Sequence, residues 1–183
     1  RYELEMIDRV WSADALYDND AMSKYATLTS IAESPKKEGL LYTGSDDGLI
    51  NVSEDGGKNW RKSAALPKVP ARSFINDLEA SPHDPNTVFA VADAHKFGNY
   101  SPYLFISTDR GGSWKSIAGD LPEGTIVWVI KQDHKDENLL FIGTEFGLYF
   151  SYNKGINWVK LKAGVPTIPF RDIELHQRDN DLV

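Results

Sequence analysis

The sequence predicts an all-β chain, a β-propeller segment of three four-stranded blades plus the start of a fourth, and three observations carry that prediction. The pattern Ser-x-Asp/Asn-x-Gly-x-x-Trp occurs three times, at Ser53-Glu-Asp-Gly-Gly-Lys-Asn-Trp60, Ser107-Thr-Asp-Arg-Gly-Gly-Ser-Trp114 and Ser151-Tyr-Asn-Lys-Gly-Ile-Asn-Trp158. Its tryptophans are 54 and 44 residues apart, the period of a repeat of four short strands. The flanks repeat as well. A stop follows each Trp, at Ala-Leu-Pro67, Asp-Leu-Pro122 and Gly-Val-Pro166, and an apolar run precedes each motif, placing Tyr42, Phe89 and Phe141 in register.

Residues 1–25, with Trp11, read as a lead-in, irregular apart from a possible helical period at 14–25. The first blade, 26–67, has short runs rich in β-branched and aromatic residues at 26–33, 40–44, 49–54 and 59–64, each bounded by Gly, Pro, Asp or Ser. The second, 73–122, repeats that order with extra residues, 93–103, between its second and third strands. The third is 125–166. Residues 168–183 begin a fourth blade, because 172–183 align on 77–88. Within each motif the third residue (Asp55, Asp109, Asn153) is expected to accept backbone N–H groups two residues on. The fifth (Gly57, Gly111, Gly155) supplies the positive φ of a tight turn, and the Trp packs on the neighbouring sheet. Asn153 keeps an acceptor oxygen and tolerates the left-handed region. Ser53, Ser107 and Ser151 open the three turns.

Composition sets the outer limits. With 41% hydrophobic and 26% charged residues the chain has the make-up of a folded protein. Its longest apolar runs are far short of a membrane-spanning helix, and a net charge of −7 opposes nucleic-acid binding. There are no cysteines, which excludes disulfides, thiolate metal sites and thiol nucleophiles. No cofactor is implied, and the four histidines, His83, His95, His134 and His176, lack metal-ligand spacing. Two glycosylation sequons, at Asn51 and Asn99, carry little weight, since Ser53 belongs to a motif turn. The chain starts at Arg1 without an initiator Met and stops within an apolar run, and is expected to be a piece of something longer. Propellers close with about 4 to 8 blades, so its first expected partner is the remainder of its own propeller or another copy of the chain.

The three motif copies resemble the Asp-box, or bacterial neuraminidase, repeat of sialidases, xyloglucanases and sortilin-type receptors. Stretches between them, among them 34–50, 94–103, 141–147 and 171–175, resemble the sortilin-like propeller proteins of Bacteroidetes that are often labelled glycosyl hydrolases. The resemblance implies turns remote from the ligand-binding mouth, an exported location in the periplasm or cell envelope of a bacterium, and a glycan, peptide or protein ligand.

Candidate chemistry falls on the inner strands, which line a propeller's axis. A sialidase site needs three arginines for a carboxylate, and of seven here only Arg171 lies on an expected inner strand. Glycoside hydrolysis needs two carboxyl groups flanking the bond. Asp77 and Asp172, at equivalent inner-strand positions two blades apart, are the best such pair. Their structural alternative is capping of neighbouring backbone. The stretch 93–103 mixes His95, Lys96, Phe97, Tyr100 and Tyr103, suited to ligand contact or to folding onto its own blade. The candidate ligand-binding set is six residues, His95, Lys96, Tyr100 and Tyr103 from this stretch with Trp128 and Arg171 at matching positions on the inner strands. The function expected is a scaffold and binding surface at the axial mouth, with a glycoside hydrolase part as the alternative.

Overall fold

The computed structural model describes residues 27–162, 164–179 and 181–183, and the backbone of two short strands, β1 (Leu4–Met6) and β2 (Arg9–Trp11), which pair antiparallel with Leu4 opposite Trp11. The possible helical period at 14–25, the Trp11 side chain and Ala26 lie outside the described residues.

Three four-stranded antiparallel sheets follow one another. The first is β3 (Leu28–Glu33), β4 (Leu41–Ser45), β5 (Ile50–Ser53) and β6 (Arg61–Lys62). The second is β7 (Phe74–Ala80), β8 (Val88–Ala94), β9 (Asn99–Ser107) and β10 (Lys115–Ser116). The third is β11 (Val127–Gln132), β12 (Leu140–Thr144), β13 (Gly147–Ser151) and β14 (Val159–Lys160). Each strand pairs with the next in sequence, which is the meander of a propeller blade. The start of a fourth follows as an extended segment. Its only bridge among the described residues joins Leu175 to Leu182, backed by Glu174 N–H to Val183 O and the reverse bond, at 2.9 and 2.8 Å.

The blades face one another through apolar layers, and β8 shows why its sequence is so continuously apolar. All seven of its residues are buried, because a middle strand is covered on both faces. Val88, Ala90 and Ala92 join Leu40, Tyr42, Ile75 and Phe105 between the first two blades. Phe89 and Val91 point the other way, to Ile117, Ile130, Ile142 and Trp158. A third layer, around Val129, Leu148 and Ile173, holds the fourth-blade segment against the third sheet. Close approach of neighbouring inner strands requires glycine on the second strand. A Cβ on Gly44 would lie 2.4 Å from Ile75 Cγ2, and one on Gly143 would lie 2.4 Å from the Phe170 carbonyl oxygen.

The three motif turns share one wiring, and it corrects one sequence expectation. The third-position oxygen accepts the N–H four residues on rather than two: Asn59 to Asp55 at 2.9 Å, Ser113 to Asp109 at 2.8 Å, Asn157 to Asn153 at 2.9 Å. The motif serine is the second anchor. Ser53, Ser107 and Ser151 each donate Oγ–H to that oxygen and accept the fifth-position glycine N–H at 2.8 Å. Gly57, Gly111 and Gly155 have φ of 85°, 79° and 84°. It is the fourth residue, Arg110 or Lys154, and not Asn153, that takes the left-handed conformation beside them. The tryptophans then reach back one blade. Trp114 Nε1 donates to Ser63 Oγ at 2.8 Å and Trp158 Nε1 to Ile117 O at 2.9 Å. Trp60 instead bonds its own Gly57 carbonyl at 2.9 Å and is 44% exposed.

Candidate binding cleft at the leading ends of the inner strands

Each inner strand begins with the same irregularity. The pairing of β3, β7 and β11 with its neighbour slips between Leu28 and Ser30, Ile75 and Asp77, and Val127 and Val129. The residue left over, Thr29, Asn76 or Trp128, is freed from the ladder, as at a β-bulge. Thr29 Oγ1 donates to Ile75 O at 2.7 Å and Asn76 Nδ2 to Val127 O at 2.9 Å, so the first two stitch a blade to the next. Trp128 does something else. Its indole N–H donates to Glu145 at 2.9 Å, and the guanidinium of Arg171, the matching residue of the fourth blade, lies over its ring 3.9 Å from the centroid.

A cleft of about 360 Å³ opens there, lined by Phe74, Asn76, Asp93, His95, Lys96, Trp128 and Arg171. The 3-10 turn His95–Phe97, closed by Gly98 at φ 70°, carries its upper wall. Asp93 fixes that wall: one carboxylate oxygen accepts the His95 backbone N–H at 2.9 Å and the other is hydrogen-bonded to His95 Nδ1. The imidazole meets Trp128 edge-on, with ring centroids 6.0 Å apart, and Lys96 Nζ sits 5.2 Å from the Phe74 ring centre. Both local carboxylates are thus engaged inside the site, Glu145 also facing Arg171 at 4.0 Å.

Four of the six candidate ligand residues, His95, Lys96, Trp128 and Arg171, meet in this cleft from three successive blades. The other two do not. Tyr103 is buried in the layer between the first two blades, its hydroxyl accepting from Asn99 Nδ2 at 2.8 Å, and Tyr100 lies exposed on β9. Asp93 and Glu145 were not singled out by sequence reasoning. Asp93 opens the flagged stretch, but nothing in the sequence marks Glu145, which sits in the β12–β13 turn.

The candidate acid pair lies further along the inner strands. Asp77 accepts Leu78 N–H and, from the next blade, Ile130 N–H, both at 2.9 Å, so each of its oxygens holds backbone. Burial raises its pKa, against the pull of those N–H groups and Lys131, and Asp172 adds to the rise. Asp172 is exposed and accepts Ile173 N–H at 2.9 Å, the same local bond. Two residues on, Lys131 lies between carboxylates of the flanking blades, 3.2 Å from Glu79 and 3.7 Å from Glu174, beside a second cavity of about 400 Å³. Burial pushes Glu79 up to about 7, opposed by Lys131. Burial pulls Lys131 down, but Glu79, Glu174 and Asp77 together hold it above its ordinary value. Among the described residues no group of His, Cys, Asp and Glu is placed to hold a metal. No helix of the described residues is long and apolar enough to cross a membrane.

The fold is a β-propeller segment, and solved structures of that architecture match it. The GH74 xyloglucanase from Xanthomonas campestris is 17% identical, with a TM-score of 0.58 over 76% of this chain and 24% of its own. YCF48 from Cyanidioschyzon merolae is 20% identical, with a TM-score of 0.55 over 79% of this chain and 39% of its own. A structure of YCF48 bound to D1 peptide is 17% identical, with a TM-score of 0.59 over 83% of this chain and 46% of its own. The chain therefore spans between a quarter and a half of these proteins. No protein-family profile matches it, and a search of curated proteins finds no match.

Proposed function

We propose that this chain is a scaffold and binding segment of an exported, sortilin-like Asp-box propeller protein of the bacterial envelope, and that it binds a glycan, peptide or protein at the axial mouth. One observation carries the reading: four chemically apt side chains from three blades converge on one cleft at the leading ends of the inner strands, with Arg171 stacked on Trp128. Concave sites lined by aromatic groups and a few fixed polar ones are where ligands bind. Neighbours of the same fold include a xyloglucanase and a protein with a bound peptide, which agrees with both ligand classes. The uncovered Trp60 favours a further blade, from its own propeller or another copy, against the first sheet.

The test is a combined glycan and peptide array probed with the chain and with Arg171→Gln. Ligands retained by the first and lost by the second are expected; an array with no retained ligand, or identical patterns, refutes the reading. The alternative, a glycoside hydrolase part using Asp77 and Asp172, draws on the raised pKa of Asp77. It requires that Asp77→Asn abolish glycan turnover while the fold persists. The two backbone N–H groups on Asp77 instead favour a staple between blades.

A further inference from the structure

The polar groups of the cleft fall into two kinds, and together they specify a ligand chemistry. Taking the cleft as the binding site proposed above, we infer that it accepts a hexuronic acid unit of an acidic glycan, its carboxylate on Arg171 and its ring hydroxyls on His95 and Asn76.

The first kind is cationic donors. The Arg171 guanidinium carbon lies over the Trp128 ring, and its N–H groups offer the spacing that matches the two oxygens of a carboxylate at the guanidinium edge. Glu145 faces the guanidinium at 4.0 Å, beyond hydrogen-bond distance, so among the described residues no carboxylate is hydrogen-bonded to that edge. Lys96, above Phe74, adds a second positive charge in the same cleft.

The second kind is groups that suit hydroxyls. Asp93 and the His95 Nδ1 form a hydrogen bond, so Nε2 is the ring nitrogen left to a ligand, and a hydroxyl can donate to it or accept from it. Asn76 gives its amide N–H to Val127 O, so its Oδ1 is an acceptor.

Donors of the first kind call for an oxyanion, and groups of the second call for hydroxyls. A hexuronic acid carries both on one ring, the carboxylate on C5 and free hydroxyls on C2 and C3, with C4 also free at the non-reducing end of a chain. A neutral hexose leaves Arg171 and Lys96 unmatched, and an acidic peptide side chain brings a carboxylate without neighbouring hydroxyls. Because Arg171 covers one face of Trp128, a sugar cannot stack there, which removes a contact that would hold a neutral ring.

The test is calorimetric titration of the chain with tri-galacturonic acid, maltotriose and a tri-glutamate peptide at low salt, with circular dichroism to confirm that variants are folded. Tri-galacturonic acid is expected to bind tightest. Arg171→Gln should weaken it at least about tenfold, the loss of one charge-assisted bidentate contact, and His95→Ala several-fold. Maltotriose or the peptide binding as tightly, or an unchanged affinity in Arg171→Gln, overturns the assignment and leaves the cleft a site for another ligand. No binding of any of the three also overturns it, and array ligands lost in Arg171→Gln would then still support a binding cleft.

Discussion

The three motif tryptophans occupy one sequence position, yet removing them should cost very different amounts. Trp158 is 7% exposed, sits in the layer between the second and third blades and donates to the Ile117 carbonyl. A buried tryptophan removes about 200 Å² from water, and at roughly 25 cal/mol per Å² that is about 5 kcal/mol, in line with about 3–5 kcal/mol for such truncations. Trp114 is half-buried against the first two blades and holds Ser63 across the interface, so Trp114→Ala should cost about 3 kcal/mol. Trp60 keeps 44% of its surface in water and, among the described residues, hydrogen-bonds its own turn, so Trp60→Ala should cost the least, about 2 kcal/mol once local contacts kept by the unfolded chain are discounted. The assay is urea unfolding of the chain and the three variants, followed by far-ultraviolet circular dichroism because the substitutions alter tryptophan fluorescence. Equal losses at the three positions, or the largest at Trp60, would refute the argument that the tryptophan acts by docking on the preceding blade.

Stability should fall as pH rises through neutrality. The folded-state pKa of Glu79 is raised from 4.5 to about 7, so the stability linked to its proton is complete below about 4.5 and lost above about 7, some 3 kcal/mol in all. Glu79→Gln should flatten that decline in melting curves between about pH 5 and 8, and an unchanged slope would rule it out. The Tyr42 hydroxyl is buried without a hydrogen-bond partner among the described residues and its pKa is pushed up to about 12, first by burial, so Tyr42→Phe should be neutral or stabilising by up to about 1 kcal/mol, read from the urea midpoint. Asp109, held at about 2 by hydrogen bonds from Ser113 and Ser107, contributes stability that is lost as pH falls below its ordinary value of 3.8. Asp109→Asn, which keeps the acceptor as Asn153 does, should melt close to the parent at neutral pH, whereas Asp109→Ala should melt lower. Gly143→Ala sets a methyl against the Phe170 carbonyl and should cost about 1–3 kcal/mol while loosening the segment that carries Arg171.

The fold was legible because a propeller repeats its own signature. Each motif encodes a turn whose serine, carboxylate or amide, glycine and indole are all satisfied locally or by the adjacent blade, so periodicity alone places the outer strands. What escaped was geometry at the inner strands. The alignment put Thr29, Asn76, Trp128 and Arg171 in one column, but a bulge leaves no mark in composition, so nothing indicated that the first three of them are lifted out of the ladder. For the same reason the turn was misdrawn by two residues: the reach of an Asp side chain depends on the backbone path, here two successive left-handed residues at Arg110 and Gly111. Glu145 was missed because its partner Trp128 lies across its own sheet, 17 residues away, and the Glu79–Lys131–Glu174 ladder because it joins three blades. The stretch 93–103, expected as extra residues between two strands, shrinks to a short connection because β8 continues to Ala94 and β9 begins at Asn99.

The slipped pairing at the head of each inner strand also has an evolutionary reading. A residue that makes no rung of the ladder can be exchanged without breaking its own sheet, at the cost of the stitch to the next blade where it makes one, as Thr29 and Asn76 do, so each blade contributes one rewritable letter at the same height around the axis. Thr29, Asn76, Trp128 and Arg171 spell one such word. Copies of a common repeat can thus diverge in what they recognise while their turns and cores stay alike, and a designer wishing to retarget the molecule would begin with those four positions.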